Sequence, residues 1–392
     1  MGLFFIYMIT YHLFSERPET VYISQSVMLV LLLCLFLYFL RHRQFILSWR
    51  MAFVILWCLT SLLSYFVSPL QSDSFSRWLT IFQLCVFLML LSHYLDTDKK
   101  INQALRCMLY SYIVLGVYMV YVYGFELFTS TFDDIRVGTE VSHINTLGMS
   151  LAYGAVFSFY YFYIEKKKWV LFFVITLTIL SSFTGSRKAI IIIVIGIIGL
   201  LAQEFRFDKK RLFRHILVVL IAAIALSSLS YFEMVLNRFD GILSLLNGES
   251  SSDSSANIRF SMIVKGIDLF WQRPIIGSGL GTYRYYWSDN ITARMYSHNN
   301  YIEILVNGGI VSFIVYYGNY IYLLFAISKK KTQTSILLLT ILSITMIVDF
   351  FVVSYYTKDI YIMIAIYYGY VYNYSSEADQ ASLVLNKQLT AK

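Results

Sequence analysis

Ser297-His298-Asn299-Asn300-Tyr301-Ile302-Glu303-Ile304-Leu305-Val306-Asn307-Gly308-Gly309 sets a histidine immediately ahead of a helix start. Asn300 can cap that helix, and Glu303, three residues on, can reach back to complete a capping box. The apolar run from Ile304 to Ile327 is long enough to cross a bilayer. This predicts a membrane-spanning helix with His298 at the membrane surface, beside the helix's positive end. That field favours neutral imidazole, the form a general base needs, and the exposed amides of the same helix start attract anions. The competing reading is an ordinary interfacial histidine with a solvated ring. What else lies on that membrane face decides between them.

The rest of the chain is as apolar as this run. Of 392 residues, 58% are hydrophobic and 14% charged, with a mean hydropathy of +0.65. A soluble domain cannot hide that much apolar surface, so the fold class is an all-α polytopic membrane protein. The net charge of +8 then reports which loops face the cytoplasm, and nucleic acid is not an expected partner. Cys34, Cys58, Cys85 and Cys107 all fall in or at the ends of apolar segments without metal-ligand spacing. They read as small buried hydrophobes. The first apolar run lacks a basic start and a small-residue cleavage site, so it reads as a first span.

Apolar runs of spanning length fall near residues 2–14, 22–40, 50–68, 78–95, 104–124, 144–164, 169–184, 188–203, 215–235, 299–327, 336–355 and 359–373, which predicts about twelve transmembrane helices. Basic clusters at Arg41/Arg43/Arg50, Lys99/Lys100/Arg106, Lys166–Lys168, Arg206–Arg214 and Lys329–Lys331 each follow an even-numbered run. By the positive-inside rule both termini are cytoplasmic. The expected layout is nine helices over 1–235, a large extracytoplasmic loop over 236–298, three helices over 299–373 and a cytoplasmic tail over 374–392. The large loop contains a low-complexity piece, Asn247–Asn257, expected to be mobile. In the amphipathic stretch after it, Phe260, Ile263, Val264, Ile267, Phe270 and Trp271 face one way and Ser261, Lys265, Asp268 and Gln272 the other. It reads as a helix on the membrane surface or packed on the bundle.

Sorting polar residues by side leaves few candidates outside. His143 and His298 are the clearly external histidines. Arg187, in Thr184-Gly185-Ser186-Arg187-Lys188, sits at a short turn between two spans, where an isolated charge is costly. An anionic partner offsets that cost, and a planar guanidinium suits a bidentate phosphate contact; snorkelling to lipid headgroups is the alternative. Arg259 opens the amphipathic stretch and is a second anion candidate, Arg136 a third. The alternating glycines of Pro274-Ile275-Ile276-Gly277-Ser278-Gly279-Leu280-Gly281 permit a close backbone approach or a nest of amides. No strand precedes them, so a dinucleotide fingerprint is excluded. The adjacent acids Asp133 and Asp134 are the one candidate for a metal, and they also read as a solvated turn.

Together these pieces resemble the O-antigen ligases and Wzy-type polysaccharide polymerases over roughly residues 130–315. The resemblance is carried by Arg136 with Gly138, by His143-Ile144-Asn145-Thr146-Leu147-Gly148, by Thr184-Gly185-Ser186-Arg187, by Arg259 followed by the Gly277/Gly279/Gly281 segment, and by Ser297-His298-Asn299-Asn300 with Gly308-Gly309. It implies a helical bundle like other lipid-dependent glycosyltransferases, in the plasma membrane. The implied reaction is glycosyl transfer at the outer face, from a polyprenyl-pyrophosphate-linked oligosaccharide donor to a glycan acceptor. It implies inversion at the anomeric centre, no cofactor and no metal. His298 would be the base, and Arg187 and Arg259 would hold the pyrophosphate. Arg136, His143, Asn145, Ser186, Gly277, Gly279, Gly281 and Asn300 would support them. A flippase and a chain-length regulator are the partner proteins it implies.

The motifs do not separate polymerase from ligase; the absence of any sign of a core-lipid acceptor favours a polymerase. One rival is a metal-dependent transferase using Asp133 and Asp134. Another is a flippase or transporter of lipid-linked oligosaccharide, which should show two related halves and mid-membrane ionisable groups. No repeat is visible, and Asp349 is the clearest acid inside a span.

Overall fold

A computed structural model describes residues 1–42, 51–124, 143–202, 254–287 and 295–372, in which every regular element is a helix. In chain order these are α1 (Gly2–Phe14), α2 (Val21–His42), α3 (Ala52–Phe66), α4 (Gln71–Tyr94), α5 (Asp98–Tyr123), α6 (Ile144–Glu165), α7 (Val170–Phe183), α8 (Arg187–Leu201), α9 (Ser254–Gln272), α10 (Tyr283–Trp287), α11 (Asn300–Ser328), α12 (Gln333–Val348) and α13 (358–372). Four of them, α2, α4, α5 and α11, are long and apolar enough to cross a membrane, and α1, α3, α7 and α12 are shorter apolar helices. The run near 215–235 lies outside the described residues, as do Arg136, the Asp133–Asp134 pair and Asn247–Asp253. Ser254–Asn257, expected to be mobile, belongs instead to the first turn of α9.

The chain forms two compact units. The first comprises Met1–Leu29, Leu105–Ile258 and Ser343–Val348; the second comprises Val30–Ala104, Arg259–Leu342 and Asp349–Lys392. In the first, α6 packs on α7 and α8. Leu115 and Met119 of α5, Leu147, Leu151 and Ala155 of α6, and Leu177 and Leu180 of α7 form its core. In the second, α3 packs on α4 and α11. A smaller core joins Met262 and Leu269 of α9, Tyr283 of α10, and Ile302 and Val306 of α11.

α9 therefore has two apolar sides. Met262 and Leu269 are buried, while Phe260, Val264, Ile267 and Trp271 remain exposed. Packing on the bundle accounts for the first set; of the apolar stripe read from the sequence, Ile263 and Phe270 pack against the same core, and Phe260, Val264, Ile267 and Trp271 are left exposed.

The eleventh apolar run was expected to stay helical to residue 355, but α12 stops at Val348. The chain then turns irregularly over residues 349–357. The cause is a buried asparagine: Asn300 Oδ1 accepts the N–H groups of Ser354 (2.9 Å) and Tyr355 (3.0 Å). Those amides are thereby held out of a helical ladder.

Candidate functional site

In the first unit, the turn between α7 and α8 carries Arg187. Thr184 Oγ donates to Ser181 O at 2.7 Å and accepts from Ser186 N at 3.3 Å. Gly185 takes φ 63°. α6 crosses this turn closely: a Cβ on Gly148 would lie 2.3 Å from Thr184 Oγ and 2.9 Å from Ser186 Cβ. Ser181 Oγ also donates to Gly148 O at 3.0 Å. Ser186 stands at the N-cap of α8 in extended conformation, yet its hydroxyl does not cap the helix. That oxygen is buried with no hydrogen-bond partner among the described residues. Arg187, half-buried, is the first helical residue. A buried serine hydroxyl and a guanidinium are thus adjacent at a helix start, a combination suited to an anion.

His143 is the N-cap residue of α6 without a side-chain cap. Its backbone N–H donates to Glu16 Oε2 at 2.6 Å, and its side chain is exposed. Asn145, half-buried, follows in the first turn.

In the second unit, the stretch around His298 is built on a break in α11. Gly309 has φ 65°, ψ −169°, a region essentially reserved for glycine. The break frees two amides and two carbonyls from the helical ladder, and the glycine-bearing strap takes up all four. Ile310 N donates to Pro274 O (2.8 Å) and Val311 N to Ile275 O (3.3 Å); in return Ser278 N donates to Val306 O (2.8 Å) and Gly279 N to Asn307 O (3.0 Å). Gly277 N is bonded to Arg273 O and Leu280 N to Ser64 O. The amides of Gly277, Ser278, Gly279 and Leu280 are therefore spent on protein carbonyls and are not turned to an anion. Close approach explains the glycines instead. A Cβ at Gly277 would meet the Asn307 backbone, one at Gly279 would meet Ser68, and one at Gly281 would meet the Arg77 stem, each within 2.6 Å.

The helix start differs by one residue from the expectation. Asn299, not Asn300, is the N-cap, accepting from Ile302 N at 3.1 Å. Asn300 is fully buried. Its Nδ2 donates to Tyr317 OH (3.0 Å) and Asp349 Oδ2 (3.2 Å), while its Oδ1 holds Ser354 and Tyr355. All four amide valences are filled, so its side chain anchors the 349–357 turn and has nothing left for a substrate. Its backbone N–H donates to Asp349 O at 2.7 Å. Glu303, deprived of that capping-box partner, instead accepts from Ser297 N at 2.9 Å. Asp349, read from the sequence as an acid inside a span, lies in the turn beyond α12.

His298 is half-buried, with φ 55°. Its ring lies 4.4 Å from that of Tyr296. On either side, Ser297 Oγ donates to Asn299 O (2.7 Å) and accepts from Asn299 N (3.2 Å). Arg259 is half-buried near the start of α9. Tyr283 OH donates to Met262 O at 2.6 Å, which ties α10 to α9; burial raises that phenol above its ordinary range and keeps it neutral.

Sequence reading missed two residues here. Asn307 is a hub: its carbonyl accepts Ser64 Oγ (2.6 Å) as well as Gly279 N, its Oδ1 accepts Tyr283 N (3.3 Å), and its Nδ2 approaches Glu303 Oε1 (3.5 Å) and Tyr355 OH (3.4 Å). An asparagine followed by two glycines inside an apolar run was the available signal for a break. Arg77, a lone arginine in α4, holds its guanidinium over the Tyr356 ring at 4.9 Å.

Helices of this length and hydropathy define a multi-pass membrane protein. Residues 171–317, from α7 into α11, match the family model described as O-antigen ligase (Wzy_C). That match supports glycan transfer of the O-antigen ligase and polymerase type in general. A comparison with curated proteins finds no match.

Proposed function

We propose that this protein polymerises polyprenyl-pyrophosphate-linked oligosaccharide repeat units into a surface polysaccharide. It does so at the outer face of the plasma membrane, by inverting, metal-independent glycosyl transfer. The observation that carries the reading is that the stretch matching the O-antigen ligase family model, residues 171–317, includes Arg187, Arg259 and His298. The unpartnered Ser186 hydroxyl at the start of α8 supports an anion beside Arg187.

In the reaction, His298 takes the proton of an acceptor hydroxyl as its oxygen attacks the anomeric carbon opposite the leaving group. The new C–O bond forms as the bond to the lipid pyrophosphate breaks. Arg187 and Arg259 stabilise the negative charge that accumulates on that leaving group. About twelve spans, with both termini cytoplasmic and residues 236–298 outside, place the three residues on the donor's side. A flippase delivering the donor and a chain-length regulator are the partner proteins this role calls for.

The description of the matching family favours a second reading, transfer of the finished glycan to a different acceptor. Purified protein supplied with lipid-linked repeat units alone distinguishes the two. A ladder of lengthened lipid-linked products is the polymerase result. No ladder, with glycan appearing only on an added second acceptor, is the ligase result.

A further inference from the structure

We propose that Glu303 is a positioning residue for His298, fixing its backbone through Ser297 with Arg77 as the compensating cation; the proposal rests on His298 being the base. Glu303 is 1% exposed. Its Oε2 accepts the Ser297 N–H at 2.9 Å, and its Oε1 faces Asn307 Nδ2 at 3.5 Å. Ser297 in turn clamps Asn299 through its hydroxyl, so both peptide neighbours of His298 are held. Such clamping matters because His298 occupies the left-handed region at φ 55°, which is strained for a side-chain-bearing residue.

Glu303 itself is too enclosed to meet a substrate, with one oxygen on the Ser297 amide and the other on Asn307. A buried carboxylate also needs a nearby cation. The Arg77 guanidinium is near enough to act on it electrostatically. Arg77 is in turn fixed by the Tyr356 ring at 4.9 Å and by the Gly281 backbone against its stem. The strap glycines, Asn307 and Glu303 thus form one chain of support ending at the histidine. The capping-box geometry would have spent Glu303 on Asn300 N, but the Asp349 carbonyl already holds that amide.

The test is a double-mutant cycle in the full-length protein, with turnover and donor KM measured on lipid-linked glycan. Glu303→Ala lowers kcat by roughly a hundredfold, the scale of a mispositioned base, with donor KM nearly unchanged. Glu303→Gln keeps an acceptor for Ser297 N–H and so recovers most of that loss. In a His298→Ala background, neither substitution lowers turnover further, because residues acting through one group are non-additive. Losses that multiply in that background overturn the proposal while leaving His298 as the base. Near-normal turnover of His298→Ala overturns both, and for that distinct reason. Should Glu303→Ala fail to reach the membrane, Glu303→Gln still decides: well-folded protein that loses turnover about a hundredfold, although Gln keeps the acceptor for Ser297 N–H, overturns the proposal.

Discussion

Substituting Gly309 by alanine tests the spliced helix break on which the His298 segment is built. At φ 65°, ψ −169°, alanine carries a backbone strain of about 1–3 kcal/mol. Its Cβ would also lie 2.3 Å from Ile275 O, so the strap must move. That movement breaks the bonds from Ile310 N to Pro274 O and from Val311 N to Ile275 O, worth about 1 kcal/mol each. The expected loss is therefore about 3–5 kcal/mol. Gly318→Ala, on the same helix, is the control. There the nearest atom is Phe53 Cε1 at 3.1 Å, and alanine's helix propensity offsets the tight fit by up to about 1 kcal/mol. Thermal unfolding of the two variants in detergent, followed by intrinsic fluorescence, should place Gly309→Ala several degrees below wild type and Gly318→Ala near it. The strap should also become cleavable by added protease in Gly309→Ala alone. A Gly309→Ala protein that melts with wild type and keeps its strap protected would refute the splice.

Three further outcomes follow. Arg187→Lys keeps the charge but loses the bidentate fork, so activity falls at least tenfold while membrane levels hold; unchanged turnover removes Arg187 from donor binding. Elongation of lipid-linked repeat units continues in excess chelator, whereas activity that vanishes and returns with magnesium or manganese would favour Asp133 and Asp134. A reporter fused after Lys331 reads as cytoplasmic and one near Ser252 as external; the reverse pattern would put every candidate residue inside.

The helices were legible because apolar runs mark them directly: Gly2–Phe14, Val170–Phe183 and Asn300–Ser328 begin and end within two residues of the runs that announced them. What escaped was tertiary. Asn299 and Asn300 both suit an N-cap by residue type; the Asp349 carbonyl, brought in by the following helices, takes the Asn300 amide and leaves the cap to Asn299. The strap glycines allowed either a nest or a close approach. The carbonyls of Val306 and Asn307 decided for close approach, and those carbonyls are free only because Gly309 breaks the helix. Arg77 was visible as an isolated arginine, but its role depends on Glu303 and Tyr356, which lie far along the chain. The idle hydroxyl of Ser186 is likewise a matter of geometry, since a serine at that position ordinarily caps its helix.

The proposed reaction turns on His298 as the base of the glycosyl transfer. It is tested most directly by measuring binding of labelled lipid-linked donor beside turnover in His298→Ala. Donor binding should stay near normal while turnover falls by roughly a hundredfold or more. Near-normal turnover in well-folded His298→Ala protein would contradict it and leave the segment as no more than a well-braced helix start.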